Sequence, residues 1–289
     1  MGLRSRIGTV LDMIKFEHTI FALPFAYMGM VLGYGNRMPS FSTFLWITLA
    51  MVGARSYAMA LNRVCDRNID RKNPRTSQWP LPRGLVTMKE ALALIIVSFG
   101  LFMLSVYMLP SLCHKLWPVV IVPMTLYSLT KRFTFISHFI LGLCLGLAPL
   151  GAWIAATNVL PPAGICALGL GVLLWTTGFD IIYSCQDHDF DKKEGLYSIP
   201  VHFGIPKALV ITKILHGATV LLLLFMGISF SLGFIYYIGI AIIALFLLYE
   251  NSIVSPDDLS RVNVSFFTVN GFVSIFAFVF TFIALQFNS

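Results

Sequence analysis

Charge is what this sequence has least of. Only 11% of its 289 residues are Asp, Glu, Lys or Arg, against about 25% in an ordinary soluble domain, and this excludes a water-soluble globule. Cysteine is also sparse: Cys65, Cys113, Cys144, Cys166 and Cys185 form no CxxC pair. A thiolate zinc site and a disulfide framework are thereby excluded, and the five read as free, small apolar residues. Sustained period-2 alternation is missing, which excludes a β-barrel. The net charge of +7 is not arranged as a basic stripe interleaved with exposed aromatics, so no nucleic-acid partner is expected.

Hydrophobic length takes the place of charge. The chain is 57% hydrophobic, with a mean hydropathy of +0.83. At about 20 apolar residues per crossing, the pattern predicts an all-α, polytopic bundle of nine transmembrane helices. They fall near 16–35, 41–62, 89–110, 117–130 (a short one), 135–157, 163–183, 208–227, 230–250 and 263–286. These spans use up the chain, so 1–289 reads as one domain without a soluble appendage. The basic N-terminus precedes a segment with no small-residue cleavage site, which reads as a retained span.

Lys and Arg sort by loop. Arg4, Arg6 and Lys15 precede the first span, Arg67, Arg71, Lys72, Arg75 and Arg83 follow the second, Lys131 and Arg132 the fourth, and Lys192, Lys193 and Lys207 the sixth. The opposite loops hold little beyond Arg37 and Lys115. The positive-inside rule makes the basic face cytoplasmic, with the N-terminus inside, in a plasma (inner) membrane. Two loops on that face are long, 63–88 and 184–207, and both are punctuated by Pro and Gly, as at Asn73–Thr76, Trp79–Gly84, Gly195–Pro200 and Phe203–Pro206. Connections of that length suggest a functional cap.

The scarce carboxylates are concentrated. Asn62, Asp66 and Asp70 recur at i, i+4 and i+8, and Asp187 and Asp191 at i, i+4, each set on one helical face. Like charges at that spacing repel. A solvated helix end, its charges paired with Arg67 and Arg71, is the plain alternative, but it does not explain two such faces. A shared cation does. Oxygen donors without imidazole or thiolate suit Mg²⁺, Mn²⁺ or Ca²⁺. Asp180, Tyr183, Asp187 and Asp191 extend the second face into the apolar span, where an unpaired carboxylate is expensive; His188 reads as a bystander. Arg55 lies on nearly the face of Asn62, deeper in the membrane. Lys131, four residues after Tyr127, reads either as positive-inside decoration or as a phosphate clamp above a deeper tyrosine. Glu17 and His18 sit where the first span begins, and Pro24 is expected to loosen that helix.

Taken together, the chain resembles the UbiA-type superfamily of intramembrane aromatic prenyltransferases. Asn62, Asp66 and Asp70 match its NDxxDxxxD motif, and Asp187 and Asp191 its DxxxD motif. Phe179–Asp187, Gly195–Pro200, Leu126–Arg132 and Glu17–Thr19 are similar to the 4-hydroxybenzoate polyprenyltransferase group and its menaquinone-pathway relatives. The chain departs from the first motif at Arg63, where the family often has Asp; this Asn-Arg form is similar to relatives serving the futalosine route to menaquinone.

The resemblance implies transfer of a polyprenyl group from its diphosphate to an aromatic acid acceptor, with Mg²⁺ held by Asp66, Asp70, Asp187 and Asp191. It implies diphosphate contacts from Lys131 and Arg67, a ligand-orienting role for Asn62, a carbocation faced by Tyr127 and Tyr183, and an acceptor carboxylate bound by Arg55. The lipid bilayer is the expected environment, with no obligatory protein partner. The competing reading is a cation-coupled secondary transporter, since membrane carboxylates also mark ion routes.

Overall fold

The computed structural model describes residues 3–15 and 22–287. Its first helix, α1 (Leu3–Met13), precedes the bundle, and α2 (Leu23–Tyr34) stands at the place of the first expected span. Eight further helices are long and apolar enough, by length and composition, to cross a membrane. They are α3 (Phe41–Lys72), α4 (Met88–Tyr107), α5 (Ser111–Thr130), α6 (Ser137–Thr157), α7 (Ala163–Ser184) with its extension to Glu194, α10 (Ile205–Ser229), α11 (Phe234–Ser252), and α12 (Asn270–Phe287) with the π-helical turn Val264–Val269 before it. Two short helices, α8 (His188–Glu194) and α9 (Ile199–Phe203), lie between α7 and α10. The chain is an integral, multi-pass, all-α membrane protein. The first of the nine expected spans is the shorter one, the 12 residues of α2; Glu17 and His18 lie outside the described residues.

Several boundaries differ from expectation for local reasons. Pro24 does not loosen α2. It occupies the first turn, where its missing N–H has no intrahelical acceptor in any case. The fourth span is not short. It begins at Ser111 and carries Pro118 and Pro123 internally, as membrane helices tolerate. The second span does not stop at residue 62. Ser40 caps the start of α3 by accepting from the Thr43 N–H at 3.1 Å, and the helix then runs 32 residues, ~48 Å at 1.5 Å per residue. That exceeds the ~30 Å hydrocarbon core, so the turns bearing Asp66 and Asp70 stand at the membrane's edge. The loop expected over 63–88 is therefore only 73–87, closed by a Thr87–Glu90 capping box that starts α4.

Small residues draw the bundle tight, as membrane interiors favour. A Cβ on Gly29 of α2 would stand 2.1 Å from the Pro149 carbonyl oxygen of α6, and one on Gly142 of α6 would stand 2.4 Å from that of Leu173 on α7. The main apolar core runs from Phe25 and Met28 through Trp175 and Phe179 to Tyr236 and Val273. Within it, Trp175 Nε1 donates to Asn270 Oδ1 at 2.7 Å, and Asn270 Nδ2 to the buried Glu250 at 2.7 Å. These bonds tie α7, which carries the second acidic group, to α11 and α12.

Candidate active site

The last three turns of α3 present Asn62, Asp66 and Asp70 along one stripe, as the spacing requires. Asn62 Nδ2 donates to Asp66 Oδ2 at 3.0 Å. Asp66 is buried and takes two cations from the end of α5: Lys131 Nζ lies 2.6 Å from Oδ2 and Arg132 Nη2 3.0 Å from Oδ1. Arg132 is braced by donating to the carbonyls of Ser128 and Cys65, both at 2.7 Å. Asp70 is buried as well. Its Oδ2 lies 3.8 Å from Arg63 Nη1 and has no hydrogen-bond partner.

The second group does not form one continuous helix face. After Ser184 the chain tightens into a 3₁₀ turn, Cys185–Asp187, before α8 resumes, which breaks the expected register from Asp180 to Asp191. Asp180 is also withdrawn from it. Its Oδ2 pairs with His138 Nδ1 of α6 at 2.7 Å, and His138 Nε2 accepts from the Ile199 N–H at 3.3 Å, so the proton sits on Nδ1. This pairing answers the cost of a carboxylate inside the span.

Arg75 joins the two groups. Asn73 ends α3, and its Oδ1 accepts from the Arg75 N–H at 2.9 Å, while its Nδ2 donates to Asp187 Oδ1 at 2.9 Å. The turn thus aims Arg75 at Asp187, which it meets bidentately at 2.9 and 2.5 Å, with Nη1 donating to the Tyr183 hydroxyl at 2.8 Å. Burial works against the Arg75 charge, but the hydrogen bonds and attraction of Asp187 outweigh it, and its pKa stands above the ordinary arginine value. Arg75 is also within Coulombic range of Asp70 and Asp191, and Lys131 within range of Asp70 and Asp191. The two acidic groups therefore share one neighbourhood, framed by α3, α5, α7 and α8. Lys72 pairs with Glu194 at 2.6 Å, and the Tyr197 N–H donates to the Lys131 carbonyl at 2.8 Å, which pins the second loop over the end of α5.

Tyr127 and Arg55 mark the inner side. Both line a cavity of about 330 Å³ between α3, α4, α5 and α6. Its walls are apolar, with Met51, Phe102, Trp117 and Leu145 among them, and it extends toward Leu109 and Pro161 beyond the opposite ends of α4 and α6. Tyr127 is within Coulombic reach of Asp66, Arg63 and Asp180, so the cavity opens beneath the charged cluster. Tyr183 packs against Phe266 of the π turn at 4.2 Å between centroids, the rings tilted by 33°.

Arg67 is not brought into the cluster. It is exposed on the flank of α3, one residue and about 100° away from Asp66. The cations that do face the carboxylates are Lys131, Arg132, Arg75 and Arg63, and sequence reasoning assigned a role only to the first. The signal for Arg75 was the Asn73–Thr76 turn, whose Asn can close an Asx-turn over the end of a charged helix.

No group of three or more His, Cys, Asp or Glu close enough to hold a metal ion is assembled among the described residues. The reason is visible in the pairing: Asp66 and Asp187 face Lys131, Arg132 and Arg75. The donor chemistry nevertheless fits a hard divalent ion. Every candidate ligand is a carboxylate oxygen, and the Asp70 Oδ2 is buried and unsatisfied, as a cation ligand would be.

The profile of the UbiA prenyltransferase family matches residues 22–282. A 4-hydroxybenzoate octaprenyltransferase of Vibrio cholerae serotype O1 is 33% identical over 236 residues, covering 82% of this chain and 80% of its own. A UbiA homologue from Aeropyrum pernix K1, solved in the apo state, is 33% identical and superposes with a TM-score of 0.82 over 92% of this chain and 98% of its own. A UbiA homologue from Archaeoglobus fulgidus bound to GPP and Mg²⁺ shares the fold, with a TM-score of 0.76 at 20% identity, covering 96% of this chain and 99% of its own.

Proposed function

The chain belongs to the UbiA prenyltransferase family, and from that premise we propose that it transfers a polyprenyl group from polyprenyl diphosphate to an aromatic acid in respiratory quinone biosynthesis. The acceptor is 4-hydroxybenzoate or a naphthoate-type menaquinone precursor. The observation that carries this reading is the meeting of both acidic groups with Arg75 and Lys131 above an apolar cavity.

Asp66, Asp70, Asp187 and Asp191 would hold a divalent ion, which we take to be Mg²⁺. When bound, it supplies Lewis-acid charge to the diphosphate leaving group. Asn62, by its bond to Asp66, orients that carboxylate. Lys131, Arg132 and Arg75 exchange their carboxylate partners for phosphate oxygens, as charge-assisted donors do. The apolar cavity takes the prenyl chain and keeps the allylic cation from water. Tyr127 and Tyr183 face that cation with their rings, and Arg55 takes the acceptor carboxylate. C1 of the prenyl group bonds to the ring as the C1–O bond to diphosphate breaks, and the ring proton passes to the released diphosphate. Residues 1–289 act as one domain, with the charged mouth on the cytoplasmic side of the inner membrane.

A secondary transporter is disfavoured because transporter sites lie near the bilayer midplane with broken helices, whereas the acidic groups stand at helix ends. Incubation of membranes bearing the protein with labelled prenyl diphosphate and each candidate acid decides. A lipid-soluble aromatic product is expected. Cation flux in liposomes with no such product would overturn the reading.

A further inference from the structure

The two acidic groups are not electrostatically equivalent, and Arg63 is the reason. Asp66 and Asp70 face three cations: Lys131 and Arg132 on Asp66, and Arg63 beside Asp70. Asp187 and Asp191 face one, Arg75 on Asp187. Asp191 takes part in no salt bridge among the described residues, and Lys131 and Arg75 reach it only through space.

Arg132, though about one-third exposed, is held by the Ser128 and Cys65 carbonyls, but Lys131 is about one-third exposed at the end of a flexible stem and can turn away from Asp66. Arg63 cannot. Its guanidinium carbon lies over the Trp79 ring, 3.7 Å from the centroid, and its Nε donates to the Met13 carbonyl at 3.2 Å. Neither anchor is a carboxylate, so its position does not depend on Asp70. At 3.8 Å it lies beyond hydrogen-bond distance of the Asp70 oxygen. It therefore lends positive charge to the first group without occupying the oxygen that a metal would use. A guanidinium stays charged under all physiological conditions, and in a buried, low-dielectric setting it repels a second cation strongly.

We propose that Arg63 is a fixed cation that keeps the first acidic group free of a divalent ion until a diphosphate is present. In the substrate-free protein a divalent ion loads on Asp191 and Asp187 alone, displacing Arg75 from the Asp187 oxygens it holds. Asp66 and Asp70 gain one only with the diphosphate, whose negative charge offsets Arg63, Lys131 and Arg132. The specificity consequence is ordered loading: the first group recognises an anion before it recognises a metal. This inference rests on the metal-assisted reading above.

The test is the number of Mn²⁺ ions bound per full-length chain in detergent, read by electron paramagnetic resonance, with and without inorganic pyrophosphate. The wild type is expected to bind one Mn²⁺ without pyrophosphate and a second with it. The first is lost in Asp191→Asn and kept in Asp70→Asn. Arg63→Gln is expected to bind two without pyrophosphate, its first-group affinity rising about tenfold or more, the scale on which a nearby unit charge acts on a cation. Arg63→Lys, which keeps the charge, retains the wild-type count. Two equivalent ions in the pyrophosphate-free wild type, loss of the single ion in Asp70→Asn, or an unchanged count in Arg63→Gln would each overturn the inference while leaving metal-assisted transfer standing. Should Arg63→Gln fail to fold, the contrast between Asp70→Asn and Asp191→Asn still decides. Absence of Mn²⁺ binding with and without pyrophosphate would instead bring down the metal-assisted reading itself, and the inference with it.

Discussion

Asp187→Asn lowers product formation by about 10³-fold, the scale on which loss of one preorganised charge-stabilising group acts, while the protein stays folded. The two halves of this expectation have different origins. Asp187 is 14% exposed at its side chain and sits at the rim of the site, bonded to Arg75 and Asn73. Asn keeps the shape and one acceptor oxygen, so the fold loses at most a charge-assisted hydrogen bond or two, about 1.5–3 kcal/mol each. Turnover loses a full negative charge from the place where a divalent ion must be held against the leaving diphosphate. Asp66→Asn is expected to behave alike, since Arg132 keeps its bonds to the Ser128 and Cys65 carbonyls and Lys131, about one-third exposed, can turn to solvent. Both effects are read as initial rates of prenylated product, with circular dichroism and the thermal midpoint as controls for folding. Full activity from either purified variant would refute the paired acidic site.

Chelation has an effect of similar size and leaves the sequence intact. In excess EDTA the rate falls to the no-enzyme background, and added Mg²⁺ restores it. The carboxylates alone cannot favour a diphosphate departure. Without a divalent ion, Asp66, Asp70, Asp187 and Asp191 repel the developing negative charge, and the basic side chains are committed to them. Product formation unchanged by EDTA would mean that Lys131, Arg132, Arg75 and Arg63 suffice, and would count against any metal role.

What the sequence made legible was what one helix settles by itself. The stripe of Asn62, Asp66 and Asp70 follows from 3.6 residues per turn, and the bundle follows from apolar runs that no soluble protein carries. What it hid was decided between segments. Arg67 and Arg75 look alike in the sequence, two cations near one acidic helix end. Only the turn at Asn73, which bends the chain back over α7, puts Arg75 on Asp187 and leaves Arg67 outside. Asp180 looked like a member of the second acidic face because a helix was assumed to continue. The 3₁₀ turn at Cys185–Asp187 and the partner His138, 42 residues away, changed its company. Proline misled at Pro24, which was expected to loosen its helix and instead stands in the first turn of α2, and the fourth span, expected from 117, begins at Ser111 with Pro118 and Pro123 inside it. Their effect depends on which neighbours satisfy the freed carbonyls, and a single sequence does not print that.

The central claim is that acidic side chains from α3 and from the end of α7 hold one ion-bridged diphosphate between them. A crystal grown with Mn²⁺ and an unreactive prenyl thiodiphosphate tests it most directly, through anomalous scattering at the manganese edge. The account predicts Mn²⁺ density in contact with at least one carboxylate of the Asp66–Asp70 pair and at least one of the Asp187–Asp191 pair, with the diphosphate between them. Manganese at only one pair, or remote from both, in crystals that hold the diphosphate would contradict it.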